Sequence, residues 1–340
     1  MIVLQAKGGN AMTLTFGKIL KPFFGLSAEA FPEMAAERYG QHEDMDKTWQ
    51  NFEPVARNLV EGFQTTLDDS RFEVLVPRLN AVDVEFRGIA YEGAGMGLML
   101  LDSLGPWKKR LQAFIDGPGA PYDWLLYIGA GLVLPRVPRR PEGFLARLDP
   151  FLRWFVMDGY GFYEGFFSGR RSIDEQVIPA GLSGYARRAF DHGLGRSIWF
   201  STGANVERIV ATIGVFPEAR QADLWGGIGL ACAYAAGVVD REAIKALRTA
   251  SGPYRSHMAA GAAVAAKFRL QTGGSAAHTD LACEVLCGLS SKMVAHIANL
   301  ARKDLPLDGV EPAYEIWRQR LAEQFATWAE SEPEQKEAKP

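Results

Sequence analysis

Glu92 and Glu164 hold the same place in two copies of a short signature, Tyr91-Glu92-Gly93 and Tyr163-Glu164-Gly165. Two carboxyls brought to one groove can divide into proton donor and proton acceptor when their surroundings differ. They can also share a metal if further ligands are present. The competing reading pairs each glutamate with an arginine where repeats meet, for instance Arg153 or Arg187. Ile128 fills the equivalent place in the copy between them, Tyr127-Ile128-Gly129, so the position does not always require a charge. Asp191-His192 has the composition of half an acid–base dyad, although it falls in a glycine-rich stretch that also reads as a turn. Glu92, Glu164, Asp191 and His192 are therefore the candidate catalytic residues, and no cofactor-binding or metal-ligating residue is nominated.

Other motifs fall short of a chemistry. Cys283 and Cys287 share a helical face with His278 upstream, but structural zinc wants four ligands; Thr279 or Asp280 capping a helix is the simpler reading there. Asp68-Asp69-Ser70-Arg71-Phe72-Glu73 has the look of a terpene-synthase magnesium motif, without the second metal-binding stretch that chemistry needs. Gly93-Ala94-Gly95-Met96-Gly97 misses the dinucleotide-binding spacing. No Gly-x-Ser-x-Gly elbow marks a nucleophile.

The elements that must position these residues are legible in a repeat. The signature glycines at 93, 129 and 165 are 36 residues apart, and weaker copies follow at Ser201-Thr202-Gly203, Trp225-Gly226-Gly227 and Ala259-Ala260-Gly261. That interval matches one helical hairpin per unit. The small-residue runs suit an inner helix that meets its neighbours closely, so close packing, not a ligand, explains the glycines. Asp116-Gly117, Asp158-Gly159-Tyr160-Gly161 and Asp191-His192-Gly193-Leu194-Gly195 read as glycine stops that end helices. Trp107, Leu111, Phe114 and Ile115, and then Phe144, Leu148, Phe151 and Phe155, have amphipathic helical spacing.

The expected fold is all-α: stacked helical hairpins in a tetratricopeptide- or Sel1-like array. Residues 1–84 form a mostly helical N-terminal cap, 85–300 the array, 301–330 a capping helix and 331–340 a disordered tail. Within the first cap, Val82 to Phe86 reads as a short strand. Leu14 to Phe24 reads as a docked cap, with a membrane-surface segment as the alternative, and Pro22 is expected to break or kink it. Tyr91, Tyr127, Tyr163, Phe166 and Trp199 recur in phase and are expected to line a concave substrate groove.

Composition narrows the class. A net charge of −3 and a pI near 6.0 leave no basic stripe for nucleic acid. Three cysteines cannot build a disulfide framework and fit a reducing, cytoplasmic setting. The N-terminus has no signal-peptide pattern and no apolar run is long enough to span a membrane.

Glu92 to Leu101, Trp154 to Phe167, Gly184 to Phe200, Asp223 to Tyr234 and His278 to Gly288 resemble, in order, segments of a bacterial domain-of-unknown-function family found in gene clusters for enediyne polyketides. The resemblance spans about residues 12 to 300, which implies Met12 as the start of the family-like portion. It implies a role in maturing a linear apolar polyene towards an enediyne core. It also implies two partners, a membrane-bound electron-transfer-like protein and a repeat-containing protein of calcium-binding type, with a location in the cytoplasm or at the inner membrane face through a partner. The resemblance assigns no catalytic residue. A non-catalytic scaffold docking partners on a concave helical face, and a stand-alone acid–base enzyme using Glu92 and Glu164, remain as alternatives.

Overall fold

Glycines two apart on one helix decide this architecture. At 3.6 residues per turn they point about 200° apart, so a G-x-G pair notches both flanks of its helix. The pairs are Gly93/Gly95, Gly129/Gly131, Gly159/Gly161, Gly193/Gly195 and Gly227/Gly229, with Gly62 and Gly261 at the ends of the row. Each notch admits the backbone of a neighbouring helix, and the admission is reciprocal: Gly129 faces the Glu92 carbonyl while Gly95 faces that of Leu126.

The computed structural model describes residues 15–331 apart from 41, 106–108, 138–140, 236–239, 275 and 307–308. All regular structure among the described residues is helical. In order come α1 (Phe16–Phe24), α2 (Ala30–Tyr39), α3 (Glu43–Asp68), α4 (Phe72–Asn80), α5 (Val84–Leu104), α6 (Arg110–Ile115), α7 (Asp123–Val133), α8 (Pro141–Leu145) and α9 (Trp154–Phe167). They are followed by α10 (Tyr185–Ser201), α11 (Val206–Gly214), α12 (Glu218–Tyr234), α13 (Arg241–Ala250), α14 (Arg255–Gln271), α15 (Ala277–Cys287), α16 (Ser291–Ala301) and α17 (Ala313–Ser331).

The notched helices α3, α5, α7, α9, α10, α12 and α14 stand side by side in chain order. Short helices or turns separate them along the chain. The row curls until distant members touch: Phe52 of α3 meets Phe200 of α10 at 4.6 Å, and Trp124 of α7 stacks on Phe268 of α14 at 4.1 Å. The inner helices are therefore buried nearly end to end, α5 from Gly88 to Asp102 and α7 from Trp124 to Val133. At the end of the row α17 buries Trp317, Leu321 and Phe325.

Several local expectations change. Val82 to Phe86 is a turn and the start of α5, because the Asp83 carboxylate accepts the Glu85 N–H at 2.9 Å and caps a helix there. Asp158 to Gly161 and Asp191 to Gly195 are helix interiors in α9 and α10, where glycine serves as a notch and not a stop. Only Gly117 follows a helix end as expected. Phe144 to Phe155 is not one helix: Asp149 accepts the Phe151 and Leu152 N–H groups at 2.9 and 2.7 Å and turns the chain before α9. Pro22 lies inside the last turn of α1, which docks on α3 through Thr15, whose hydroxyl donates to the Leu67 carbonyl at 3.2 Å. Trp107 and the tail from 332 lie outside the described residues.

No single helix among the described residues is long and apolar enough to cross a membrane; only the bent pair α15–α16 passes by length and composition. Val294, Ala295 and Ala298 of that pair are buried in the protein core.

Candidate active site

The correct repeat phase is set by the G-x-G pairs, and it regroups the polar residues. The position just before the first glycine of each pair is Glu92, Ile128, Asp158, His192 and Gly226 in turn. Three of these converge. His192 Nδ1 donates to Asp158 Oδ2 at 2.5 Å, Arg196 ion-pairs with the other Asp158 oxygen, and Arg196 Nη2 lies 3.8 Å from Glu92 Oε1. The last distance is an ion pair, too long for a hydrogen bond. The Arg196 guanidinium also lies over the Phe162 ring, 5.2 Å from its centre.

Burial sets the electrostatics of this cluster. Burial raises the Glu92 carboxyl to about 7, with the attraction of Arg196 opposing and the charge of Asp158 adding. Burial also acts to raise Asp158, yet Arg196 and His192 outweigh it and hold the carboxyl below its ordinary value. His192 is lowered by burial, only partly offset by its bond to Asp158, so it is neutral near pH 7. Glu92 is thus the member of the group poised to exchange a proton near neutrality.

Glu92 and Arg196 border a cavity of about 40 Å³ between α2, α3, α5, α7, α9, α10 and α12. Its other walls include Trp49, Phe52, Trp124, Phe162, Phe200 and Tyr234. A second, smaller cavity of about 20 Å³, lined by Phe24, Phe63, Met96, Leu100 and Tyr163, shares Phe31, Leu59 and Phe162 with the first. Both are strongly apolar, and Arg136 is the charged group of the second.

Of the sequence candidates, Glu92 and His192 are brought together through Asp158 and Arg196. Glu164 is not: it is half-buried beside Ser168 and Arg171, and burial raises its pKa there. Its signature copy was out of phase, since a side chain at Gly165 would meet Ser197 and Leu194 side chains instead of a backbone. Asp191 pairs with Arg220, whose Nε donates to Oδ2 at 2.8 Å, so it is not the acid partner of His192. Tyr91 is a core residue stacked on Tyr122 at 3.8 Å and donating to Asn80 at 3.0 Å. Tyr127 and Trp199 are fully buried core, and Phe166 packs on Phe31 and Trp49. Only Tyr163 of the expected groove lines a chamber.

The sequence reading missed Asp158 and Arg196. Counting from G-x-G instead of Tyr-x-Gly would have aligned Asp158 with Glu92 and His192. Arg196 then follows His192 by four, one turn along the same face.

Behind this group lies a second buried network. Arg318 of α17 bonds Asp223 of α12 at 2.9 Å and the Tyr185 hydroxyl at 3.0 Å, while Arg188 of α10 reaches Asp223 at 2.9 Å and Glu315 at 2.8 Å. Gly226 leaves room for both His192 and Arg318, which would each lie 3.1 Å from a methyl placed there.

Thr279 donates to the Ala233 carbonyl at 2.7 Å and Asp280 accepts from Ser291, so neither caps α15. Burial raises the Cys232 thiol to about 12 and Cys287 well above its ordinary value, which leaves both inert. No group of three or more metal-ligating side chains occurs among the described residues.

A family described as "Protein of unknown function (DUF1702)" matches residues 24–325. The chain belongs to that family. No curated protein and no solved structure is significantly similar to it. The DUF1702 match spans both chambers and the whole Glu92–Arg196–Asp158–His192 group.

Proposed function

We propose that a linear apolar polyene enters the larger cavity by parting the helices around it and that Glu92 exchanges a proton with it, as part of enediyne-type polyketide biosynthesis. The observation that carries this reading is a carboxyl raised by burial to about 7, beside Arg196 in a wall made otherwise of aromatic and aliphatic side chains. Arg196 holds that carboxyl in place, and Asp158 with His192 holds Arg196. The second cavity shares a wall with the first, so an extended chain that parts the helices at one reaches the other. The biosynthetic setting comes from the sequence resemblance, as do the cytoplasmic location, the membrane-bound electron-transfer-like partner and the calcium-binding-type partner. The alternation of buried and peripheral helices is read as a tightened tetratricopeptide- or Sel1-like array. A scaffold docking proteins on a concave face has less support, because the helices that would form that face are buried nearly end to end.

Glu92→Gln tests the reading. The substitution keeps the shape of the chamber, so binding of diphenylhexatriene, followed by its fluorescence, should change less than about twofold. Conversion of the polyene by the reconstituted pathway should fall about 100-fold or more, the usual range for a lost acid–base group. Unchanged conversion would remove Glu92 from the chemistry.

The same variant has a thermodynamic signature. Glu92 titrates near 7 when folded against 4.5 in the open chain, so the native state holds the proton more tightly. Stability therefore falls as pH rises from about 4.5 to 7, and above 7 the buried carboxylate costs roughly 3 kcal/mol. Melting curves of Glu92→Gln should lose this slope, running above wild type at pH 8 and close to it at pH 5.

A further inference from the structure

Around the second cavity, each boundary between consecutive inner helices is closed by backbone set into glycine notches. These lie at Gly62 and Gly93 for α3–α5, Gly95 and Gly129 for α5–α7, and Gly131 and Gly159 for α7–α9. Backbone locked on backbone does not part locally. The exception is the seam where the curled row brings α9 back against α3, with Trp49 and Phe166 at 6.2 Å. The segment from Phe24 to Phe31 covers that seam, and Phe24, Leu26 and Phe31 complete the second cavity. Phe31 lines the first cavity as well, so its ring stands in the wall common to both.

The two ends of this cover are held differently. Upstream, α1 is pinned to α3: a methyl at Gly17 would overlap the Leu67 carbonyl oxygen, and Lys21 ion-pairs with Asp68 at 2.7 Å. Downstream, α2 contains no glycine and its backbone enters no notch. It has 10 residues and no side-chain N-cap, a length that barely persists alone in water. Side chains alone hold it to the far side of the seam. Phe31 packs on Phe166 and Phe167 at 5.4 and 5.7 Å, and Tyr39 shares a hydrogen bond with Thr212 at 3.3 Å. Arg38 ion-pairs with Asp174, whose carboxylate is 58 % exposed. Between the two ends, Arg136 donates to the Phe23 carbonyl at 3.0 Å and Gln64 to that of Leu26 at 3.3 Å. Gly25 ends α1, and Gly40 ends α2 at φ +81°, a conformation that glycine takes at low cost.

We infer that α2 and the Phe24–Phe31 segment form a strap that swings off α9 and α10 while α1 stays on α3, withdrawing Phe31 and joining the two cavities into one open cleft. This rests on the reading of the cavities as a binding site and names the route into it. The interlocked helices keep their places, so Glu92 and Arg196 stay on the fixed side and the guest comes to them.

Thiol labelling reads the strap without any guest. Met96 and Met99 lie one turn apart on α5, 5 % and 1 % exposed, and Met96 lines the second cavity while Met99 lines neither. The natural cysteines are buried, which leaves a quiet background. With Ellman's reagent, Met96→Cys should react about 100-fold faster than Met99→Cys and depend little on urea below the unfolding transition. Met99→Cys waits for the row to come apart and should follow urea steeply. Adding Arg38→Ala to Met96→Cys should speed the reaction about fivefold, the upper range for an ion pair near the surface. Uptake of diphenylhexatriene by the Arg38→Ala protein should quicken by the same factor. Equal rates and equal urea dependence at the two positions overturn the inference. Fast labelling, or dye uptake, that Arg38→Ala leaves unchanged does the same. Hydrogen exchange on the natural chain repeats the test without cysteines: α2 amides should open almost independently of urea, and α2 amides that track those of α9 would sink the strap. Labelling as expected with no dye binding sustains the strap and removes the polyene reading.

Discussion

Gly193→Ala is expected to unfold the protein. An alanine methyl at Gly193 of α10 would overlap the Asp158 carbonyl oxygen of α9 and lie 2.6 and 2.8 Å from the carbonyl carbon and Cα. Comfortable carbon contacts begin at about 3.5 Å. None of these atoms belongs to a flexible side chain, so only separation of the two helices relieves the overlap. Separation would also empty the reciprocal notch, where Gly161 faces the Phe190 carbonyl, and pull Asp158 from His192 and Arg196. Overpacking alone costs about 1–3 kcal/mol, and loosening a buried ion network about 3–5 more. Together these rival the ~5–15 kcal/mol that holds a domain folded. Soluble yield and far-UV circular dichroism read the outcome. The control is Gly214→Ala at the end of α11, where a methyl meets nothing within 4 Å and the melting temperature should hold or rise slightly. A Gly193→Ala protein that melts like wild type would refute the notch account.

The second large effect belongs to Arg196→Met. Methionine matches much of the volume and removes the charge that Asp158 and Glu92 share. Stripping one partner from a buried pair costs about 3–5 kcal/mol, because the remaining carboxylates are left without compensation. The loss must depend on pH. Without Arg196 the folded-state pKa of both carboxyls rises, so the native protein binds protons more tightly than the open chain. Stability then declines as pH climbs above the ordinary carboxylate range, and the decline extends past the value of about 7 that Glu92 has in the wild type. Thermal melts from pH 5 to 8 should show the variant near wild type at the acid end and far below it at the basic end. Adding Glu92→Gln to Arg196→Met should restore part of the loss. A deficit that is the same at every pH would mean that Arg196 acts by packing alone.

The helical class, the inner placement of the small-residue segments and the packing role of the glycines at 93, 95, 129 and 131 were legible in the sequence, because period and side-chain volume are written locally. The glycines at 159, 161, 193 and 195, by contrast, read as helix ends and lie inside helices. The register was harder. Tyr-x-Gly and G-x-G coincide in the units of Gly93 and Gly129 and part company afterwards, so following the tyrosines carried attention to Glu164 and away from Asp158. Aromatic identity misled in the same way. Tyr91 and Phe162 are equally plausible groove residues on paper, and only the curling of the row places Phe162 against both chambers while Tyr91 stacks on Tyr122. Burial of Glu92 was invisible for the same reason, since it depends on α10 arriving with Arg196 from about a hundred residues away.

The paired glycines also bear on how the chain reaches its native state. Each costs its helix about 1 kcal/mol relative to alanine, and helices shorter than about 12–15 residues barely persist alone in water. An inner helix such as α7, 11 residues long with two interior glycines, therefore has little existence before its neighbours arrive on both flanks. Ordinary helical solenoids can fray from an end and come apart unit by unit. Here every member waits on the next, so the row should assemble and melt in a single cooperative step, and excising one unit would forfeit the remainder.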